Sequence, residues 1–284
     1  MALTNRLKSE INVIARNCDP PINVTIEEYN NTIVIIIPES KNKPHKCSSG
    51  FYVRQGATSQ KLSVAEIREF FNKEGKISFE ELTHKNFVMK DFDAEKFNTF
   101  LKSARISKTI SQEGLFKNLG LYTTSNTFNN TAILLFGKNI ERFIPQGIIT
   151  CVLYKGVDKT FIIDRKDFKN DILTNYTDTI NFLYQHLKLS YEIKGFGPRK
   201  DILEIPREAL KEAILNAICH RDYSEKGAVI MVEIFDDRLE ISNPGGLIIK
   251  ESEFGRKSLS RNPILFSMLQ RINLVEHVGS GIAR

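Results

Sequence analysis

Four cysteines are scattered along 284 residues, at positions 18, 47, 151 and 219, and no two stand in a Cys-x-x-Cys spacing. That pattern argues against a structural zinc site and fits reduced thiols in a cytosol. Long apolar runs are missing as well. No segment approaches the roughly eighteen consecutive apolar residues of a membrane-spanning helix, and no charged, apolar and small-residue signal opens the chain. A soluble, cytoplasmic protein without a membrane partner is the expectation. No internal repeat at a fixed period and no low-complexity tract is visible. Segment Thr131-Ala-Ile-Leu-Leu-Phe-Gly-Lys138 lacks the glycine spacing of a phosphate loop and reads as a buried element.

What is present is ordinary in bulk. Hydrophobic residues make up 41% and charged residues 26% of the chain, which is the composition of a globular protein with length enough for two domains. Forty Lys and Arg against 34 Asp and Glu give a net charge of +6. The surplus permits nucleic-acid binding without showing it, because the basic residues are dispersed. The densest basic group, Lys41-Asn-Lys-Pro-His-Lys46, reads either as a phosphate-contacting loop, through Lys43 and Lys46, or as a solvated turn.

The informative stretch is 204–223. Pro206 can occupy the first turn of a helix, where its missing N–H costs nothing. Ala209, Leu210, Ala213, Ile214, Ala217 and Ile218 then recur as one apolar stripe. Glu208, Glu212, Asn216 and His220 stand four residues apart and spread over about 120° of the opposite face. A carboxylate one turn before an amide suits a magnesium-nucleotide site: the Asn oxygen can ligate the cation and the Glu can orient a water or take its proton. Alone, the pattern reads as a solvated face. The order of the segments downstream is more specific. Residues 229–234 form a β-branched run, Asp236-Asp237-Arg238 a turn, and Leu239-Glu240-Ile241 a returning strand. Next comes the turn Asn243-Pro244-Gly245-Gly246-Leu247, whose glycines let backbone approach a ligand. A second glycine pair stands at Gly279-Ser280-Gly281.

With Arg261-Asn262-Pro263 and Glu276-His277-Val278, these motifs resemble the bacterial and archaeal transcriptional regulators, often labelled RecG-related, that join a Schlafen-like AlbA domain to a divergent GHKL-type ATP-binding domain. The resemblance implies ATP and Mg²⁺ as cofactors, Asn216 as metal ligand and Glu212 as catalytic base where hydrolysis occurs. Asn243 stands where the wider superfamily has an adenine-recognising Asp; it offers the same acceptor oxygen without the charge. Gly245 and Gly246 would lie close to the nucleotide, and Gly279 and Gly281 would line the phosphates.

The first quarter is similar to the later half of a Schlafen-like AlbA domain. It shows an apolar strand, Thr32-Ile-Val-Ile-Ile-Ile-Pro38, then Gly50-Phe-Tyr-Val-Arg-Gln-Gly56 entering a tight turn. Ser63-Val-Ala-Glu66 then opens a helix with a capping box. Tyr52 and Arg54 are either nucleic-acid contacts or an ordinary strand face. The start of that domain and the end of the ATP-binding domain are not found, so both ends look cut from a longer protein.

The expected fold is α+β: a partial AlbA-like α/β domain at 1–73, a helical connector at 74–130, and a GHKL (Bergerat-like) α/β sandwich at 131–284. Within it, 91–102 and 115–121 are expected helices, the second ended by Gly120. Segments 148–154 and 160–164 form a strand pair, and 172–189 a long helix. The implied function is an ATP-binding, DNA-associated transcriptional regulator, with weak ATPase activity left open. A Schlafen-like RNA-processing nuclease is one alternative, although Glu27-Glu28 is the only acidic pair in the first domain. A scaffold with a vestigial pocket is another. His220 with Asp222 lacks a third metal ligand, Arg221 could fix the loop or pair with a phosphate, and Arg261 could meet the nucleotide or brace the fold. Several related domains form homodimers, but nothing in the sequence fixes an interface.

Overall fold

The computed structural model describes residues 5–30, 32–73, 78–192, 200–248, 252 and 259–275, within two compact units, Met1–Ile77 and Ser78–Arg284. The architecture is α+β, with several small sheets.

The first unit begins with helix α1 (Asn5–Arg16), followed by a hairpin of β1 (Thr25–Tyr29) and β2 (Thr32–Ile36). Asn30 turns the hairpin at φ 46°, a left-handed conformation that Asn tolerates better than most residues. A second hairpin pairs β3 (Tyr52–Gln55) with β4 (Thr58–Lys61), with Gly56 at φ 58° in the turn. Helix α2 (Val64–Lys73) opens with the expected capping box: Ser63 Oγ accepts from the Glu66 N–H at 3.3 Å, and the Ser63 N–H donates to Glu66 Oε2 at 2.8 Å. Only Ala15 is buried among the described residues of this unit. The apolar run of β2 is not covered by them: Ile35 is 45% and Ile36 44% exposed.

The second unit starts with short turns at Phe79–Glu81 and Met89–Asp91, then helices α3 (Ala94–Ser103), α4 (Gln112–Asn118) and α5 (Asn130–Phe136). Asp93, Ser111 and Asn129 cap the three helices, each accepting backbone N–H groups of the first turn. Gly120, at φ 67°, follows α4 as a left-handed stop. All of α5 is buried, as expected of the segment without a phosphate loop. Phenylalanines carry this part of the core. Phe92 stacks on Phe128 at 4.8 Å between centroids, and Phe97 meets Phe116 at 5.1 Å and Phe136 at 5.2 Å. Residues of the expected connector thus pack in the same core as the next sheet.

That sheet contains β5 (Ile149–Lys155) and β6 (Phe161–Phe168), then, after helix α6 (Ile172–His186), a separate pair β7 (Leu189–Glu192) and β8 (Lys200–Leu203). Helix α7 (Arg207–His220), strands β9 (Ile230–Ile234) and β10 (Leu239–Ser242), and helix α8 (Pro263–Arg271) follow among the described residues. Strand order is β10-β9-β5-β6, with β5 parallel to β9 and the other neighbours antiparallel. Alternation sorts the two faces. Ile149, Cys151, Ile230, Val232 and Ile234 join Ile180, Leu183, Ile214, Ile218 and Leu265 in the main core. Val152, Tyr154 and Phe235 form a small cluster apart from it. There Glu233, 4% exposed, accepts from Tyr154 Oη at 3.3 Å and from Lys159 Nζ at 2.8 Å. Among the described residues, no helix is long and apolar enough to cross a membrane.

Glu80, 1% exposed, ties the start of this unit to its last described helix. Its two carboxylate oxygens accept from the N–H groups of Ile264 and Leu265, both at 2.9 Å, in the first turn of α8. Burial lifts its pKa above the ordinary 4.5, although these two N–H groups favour the charged form. A raised folded-state pKa means that the native state keeps this proton to higher pH than the unfolded chain. The contribution to stability is therefore lost as pH rises from 4.5 through the raised value. Urea titrations at several pH values should show that slope in the wild type and a flatter profile for Glu80→Gln. At neutral pH, Glu80→Ala should cost about 2–3 kcal/mol by leaving two N–H groups unpaired; an unchanged urea midpoint would contradict this role.

Candidate functional site

Helix α7 has Pro206 at its N-cap and buries Leu210, Ile214, Leu215, Ala217, Ile218 and Cys219. Two details differ from a single apolar stripe: Ala209 is exposed, and Leu215 and Cys219 are buried. The buried arc is wider because α7 packs against α6 and α8 as well as β10. Burial pushes the Cys219 thiol up to about 12, so it packs and does not act as a nucleophile at neutral pH. On the other face Glu208 is exposed, while Glu212, Asn216 and His220 are half-buried. Neither Glu212 nor Asn216 has a side-chain hydrogen-bond partner among the described residues. A half-buried amide with its acceptor and both donors unused is chemically available to a ligand.

The loop after α7 is structural. Arg221 is fully buried, and its guanidinium donates to the carbonyls of Asp222 at 2.5 Å, Glu225 at 3.0 Å and Ala228. It also lies 4.9 Å from the centre of the Tyr223 ring. The phosphate-pairing reading of Arg221 is thus replaced by the loop-fixing one: its fork is enclosed and occupied by backbone oxygens. Tyr223, 1% exposed, donates to Ile218 O at 3.2 Å, and Gln146 donates to Tyr223 O at 2.8 Å. His220 is held below its ordinary value by burial and by the neighbouring Arg261 charge, which leaves it neutral at pH 7. Among the described residues no group of three or more His, Cys, Asp or Glu is placed to hold a metal, and His220 with Asp222 is no exception.

The turn after β10 rests on this loop. The Asp222 N–H donates to Pro244 O at 2.9 Å. Gly245 has φ 121°, a conformation that favours glycine, and a Cβ there would crowd Asp222, at 3.0 Å from its Cβ and 3.3 Å from its N. Gly246 differs, since a Cβ there would meet nothing within 4 Å. Among the described residues the Asn243 side chain makes one long hydrogen bond, Nδ2 to Pro244 O at 3.5 Å, and lines an open cleft of about 540 Å³ with Lys226, Gly227, Val229, Met231 and Pro244. Glu212 and Asn216 are not among the described residues lining that cleft. Lys226 was not singled out by the sequence, where a lone Lys-Gly in a loop has no periodic or motif signal. Gly279 and Gly281 lie outside the described residues.

In the first unit, Tyr52 and Arg54 stand two residues apart on β3, share a face and are exposed. Arg54 Nε donates to Gly56 O at 3.1 Å. Lys46 is exposed, whereas Lys43 forms an ion pair with Glu39. Glu27 and Glu28 are successive residues of β1, so they point to opposite sides of the hairpin and do not make a paired-carboxylate centre.

Residues 227–284 match the family described as "Putative ATP-dependent DNA helicase recG C-terminal". Asn243, Gly245 and Gly246 fall inside the matched segment, and Glu212 and Asn216 precede it. Among solved structures the chain is similar to the DIP2311 protein from Corynebacterium diphtheriae, with a TM-score of 0.57 and 20% identity. The likeness, which concerns the fold, covers 94% of this chain and 54% of that one, so the chain spans about half of that protein's length. No curated protein matches the chain.

Because three carbonyls converge on Arg221, Arg221→Lys should lower the stability of the protein by about 3 kcal/mol, read as a fall in the urea midpoint. A variant of wild-type stability that binds phosphate ligands more weakly would restore the phosphate-pairing reading.

Proposed function

We propose that the chain binds Mg-ATP at a GHKL-type site and associates with DNA, as a transcriptional regulator of the RecG-related kind. The observation that carries the reading is Asn216: a half-buried amide without a protein partner among the described residues, one turn after Glu212, on a helix that packs against β10, the strand leading directly to Asn243. The match of 227–284 to a RecG C-terminal family supports it.

In this reading Asn216 would hold magnesium through its amide oxygen, and Asn243 would accept a hydrogen bond from the adenine amino group. The neutral Asn243 binds that amine less strongly than a carboxylate would. Magnesium, when bound, supplies positive charge that offsets the phosphates. Lys226, an exposed cation on the rim of the cleft, adds to the attraction for an anion. Gly246 leaves open space where a side chain would otherwise project. Glu212 would orient or deprotonate a water, giving slow ATP hydrolysis. Contact with nucleic acid is assigned to the exposed Tyr52–Arg54 face, with Lys46 and Lys43 nearby in sequence.

Calorimetric titration should show ATP binding that requires magnesium. Asn216→Ala should weaken it by roughly tenfold or more, as expected for the loss of a polar contact to a charged centre. Glu212→Gln should bind ATP within about threefold of wild type while any turnover falls by about a hundredfold. Magnesium-independent binding that survives Asn216→Ala would sink the site assignment.

Duplex DNA binding, measured by anisotropy at several salt concentrations, tests the other half of the proposal. Arg54→Ala should weaken binding and reduce the slope of log K against log salt by about one. An unaltered slope would show that Arg54 does not meet the phosphate backbone.

A further inference from the structure

The side chain of Arg261 reaches three acceptors on separate stretches of chain. Its Nε donates to His220 O at 3.3 Å, its Nη1 to Asp222 Oδ2 at 3.4 Å and its Nη2 to Gly246 O at 2.5 Å. The residues beside it are anchored in the same place. Ser260 Oγ donates to Cys219 O at 3.2 Å, and Asn262 Nδ2 donates to both Cys219 O and Arg221 O at 2.9 Å. Asn262 is 2% exposed and immediately precedes α8, whose first turn is held by Glu80. Arg261 is therefore fixed at its backbone, and a planar guanidinium presents its donors at set angles.

We infer that Arg261 is a positioning residue that locks the Asn243–Gly246 turn to the C-terminal end of α7, and so sets the separation between adenine recognition and phosphate binding. This rests on the nucleotide-binding reading above. Asn243 stands three residues before the Gly246 carbonyl that Arg261 grips. Asn216 stands one helical turn before the His220 carbonyl that it also grips. A ligand spanning both ends gains from this fixed separation, because neither end has to be brought into place on binding. A ligand that occupies only the phosphate end gains nothing from it.

The test compares Mg-ATP with Mg-tripolyphosphate, which has the phosphates and no base, by calorimetry on the full chain. Arg261→Lys keeps the charge and loses the fork. It should weaken Mg-ATP by about tenfold and leave Mg-tripolyphosphate within about twofold. Gly245→Ala attacks the same contact from the turn side, where the added Cβ would meet Asp222 at 3.0 Å, and should reproduce the selective loss if the first variant does not fold. Equal losses for both ligands would overturn the inference in favour of direct phosphate contact or a general loss of structure. Unchanged ATP affinity in both variants would overturn it too. If the wild-type chain binds neither ligand, the nucleotide reading itself fails and takes the inference with it.

Discussion

Helix α7 ends with the carbonyls of Cys219, His220 and Arg221 beyond the reach of intrahelical partners, in a region largely closed to water. Each such group, left unpaired, would cost about 1–3 kcal/mol. Ser260, Arg261 and Asn262 satisfy all three, Asn262 by taking two of them with one amide nitrogen. Much of the second unit depends on this cap. It brings the start of α8 beside the end of α7, and through Arg261 it fastens the turn after β10 to both.

Two buried charges of opposite sign flank the cap, and neither neutralises the other. The Glu80 carboxylate accepts from two N–H groups of α8, and the Arg221 guanidinium donates to three carbonyls, with its buried Nε left without a partner among the described residues. Burial opposes both, lifting the Glu80 pKa and lowering that of Arg221. Exchanging ionic partners for backbone dipoles makes each charge a specific fastener, since few other arrangements of the chain present the same set of oriented groups. Their value lies in fixing which segments meet rather than in net stabilisation.

Local periodicity made much of the fold legible. The helix at 207–220, the strand pairs 149–168 and 230–242, the Ser63 capping box and the Gly120 stop all arise from patterns within a few residues. What the sequence did not disclose is non-local. Glu80 and Ile264 are 184 positions apart, and nothing near either residue announces the pairing. At Arg221 the sequence left loop-fixing and phosphate pairing both open, and only the path of the chain, which brings three backbone carbonyls to its fork, decides for the first. The apolar run from Thr32 was legible as a strand, but the sequence does not say what covers it, and the described residues leave it largely exposed. Of the candidate site, the sequence made legible only that Glu212 and Asn216 share a helix one turn apart, whereas Lys226 joins the cleft beside Asn243 through the path of the chain.

The glycine turn shows how such a motif divides between fold and function. At Gly245 a side chain would strike Asp222, and the backbone angle already excludes most residues, so packing alone accounts for that glycine. At Gly246 neither reason applies, because the space beyond its Cα is open and its φ is not left-handed. The protein's own packing therefore leaves room for a side chain at Gly246 and asks for none of the conformations peculiar to glycine. Arg261 links the two cases: it grips the Gly246 carbonyl while its Nε lies within 3.5 Å of where a Gly245 Cβ would be. Asp222 crowds the first glycine, and Arg261, which also donates to the Asp222 carboxylate, holds the carbonyl of the second.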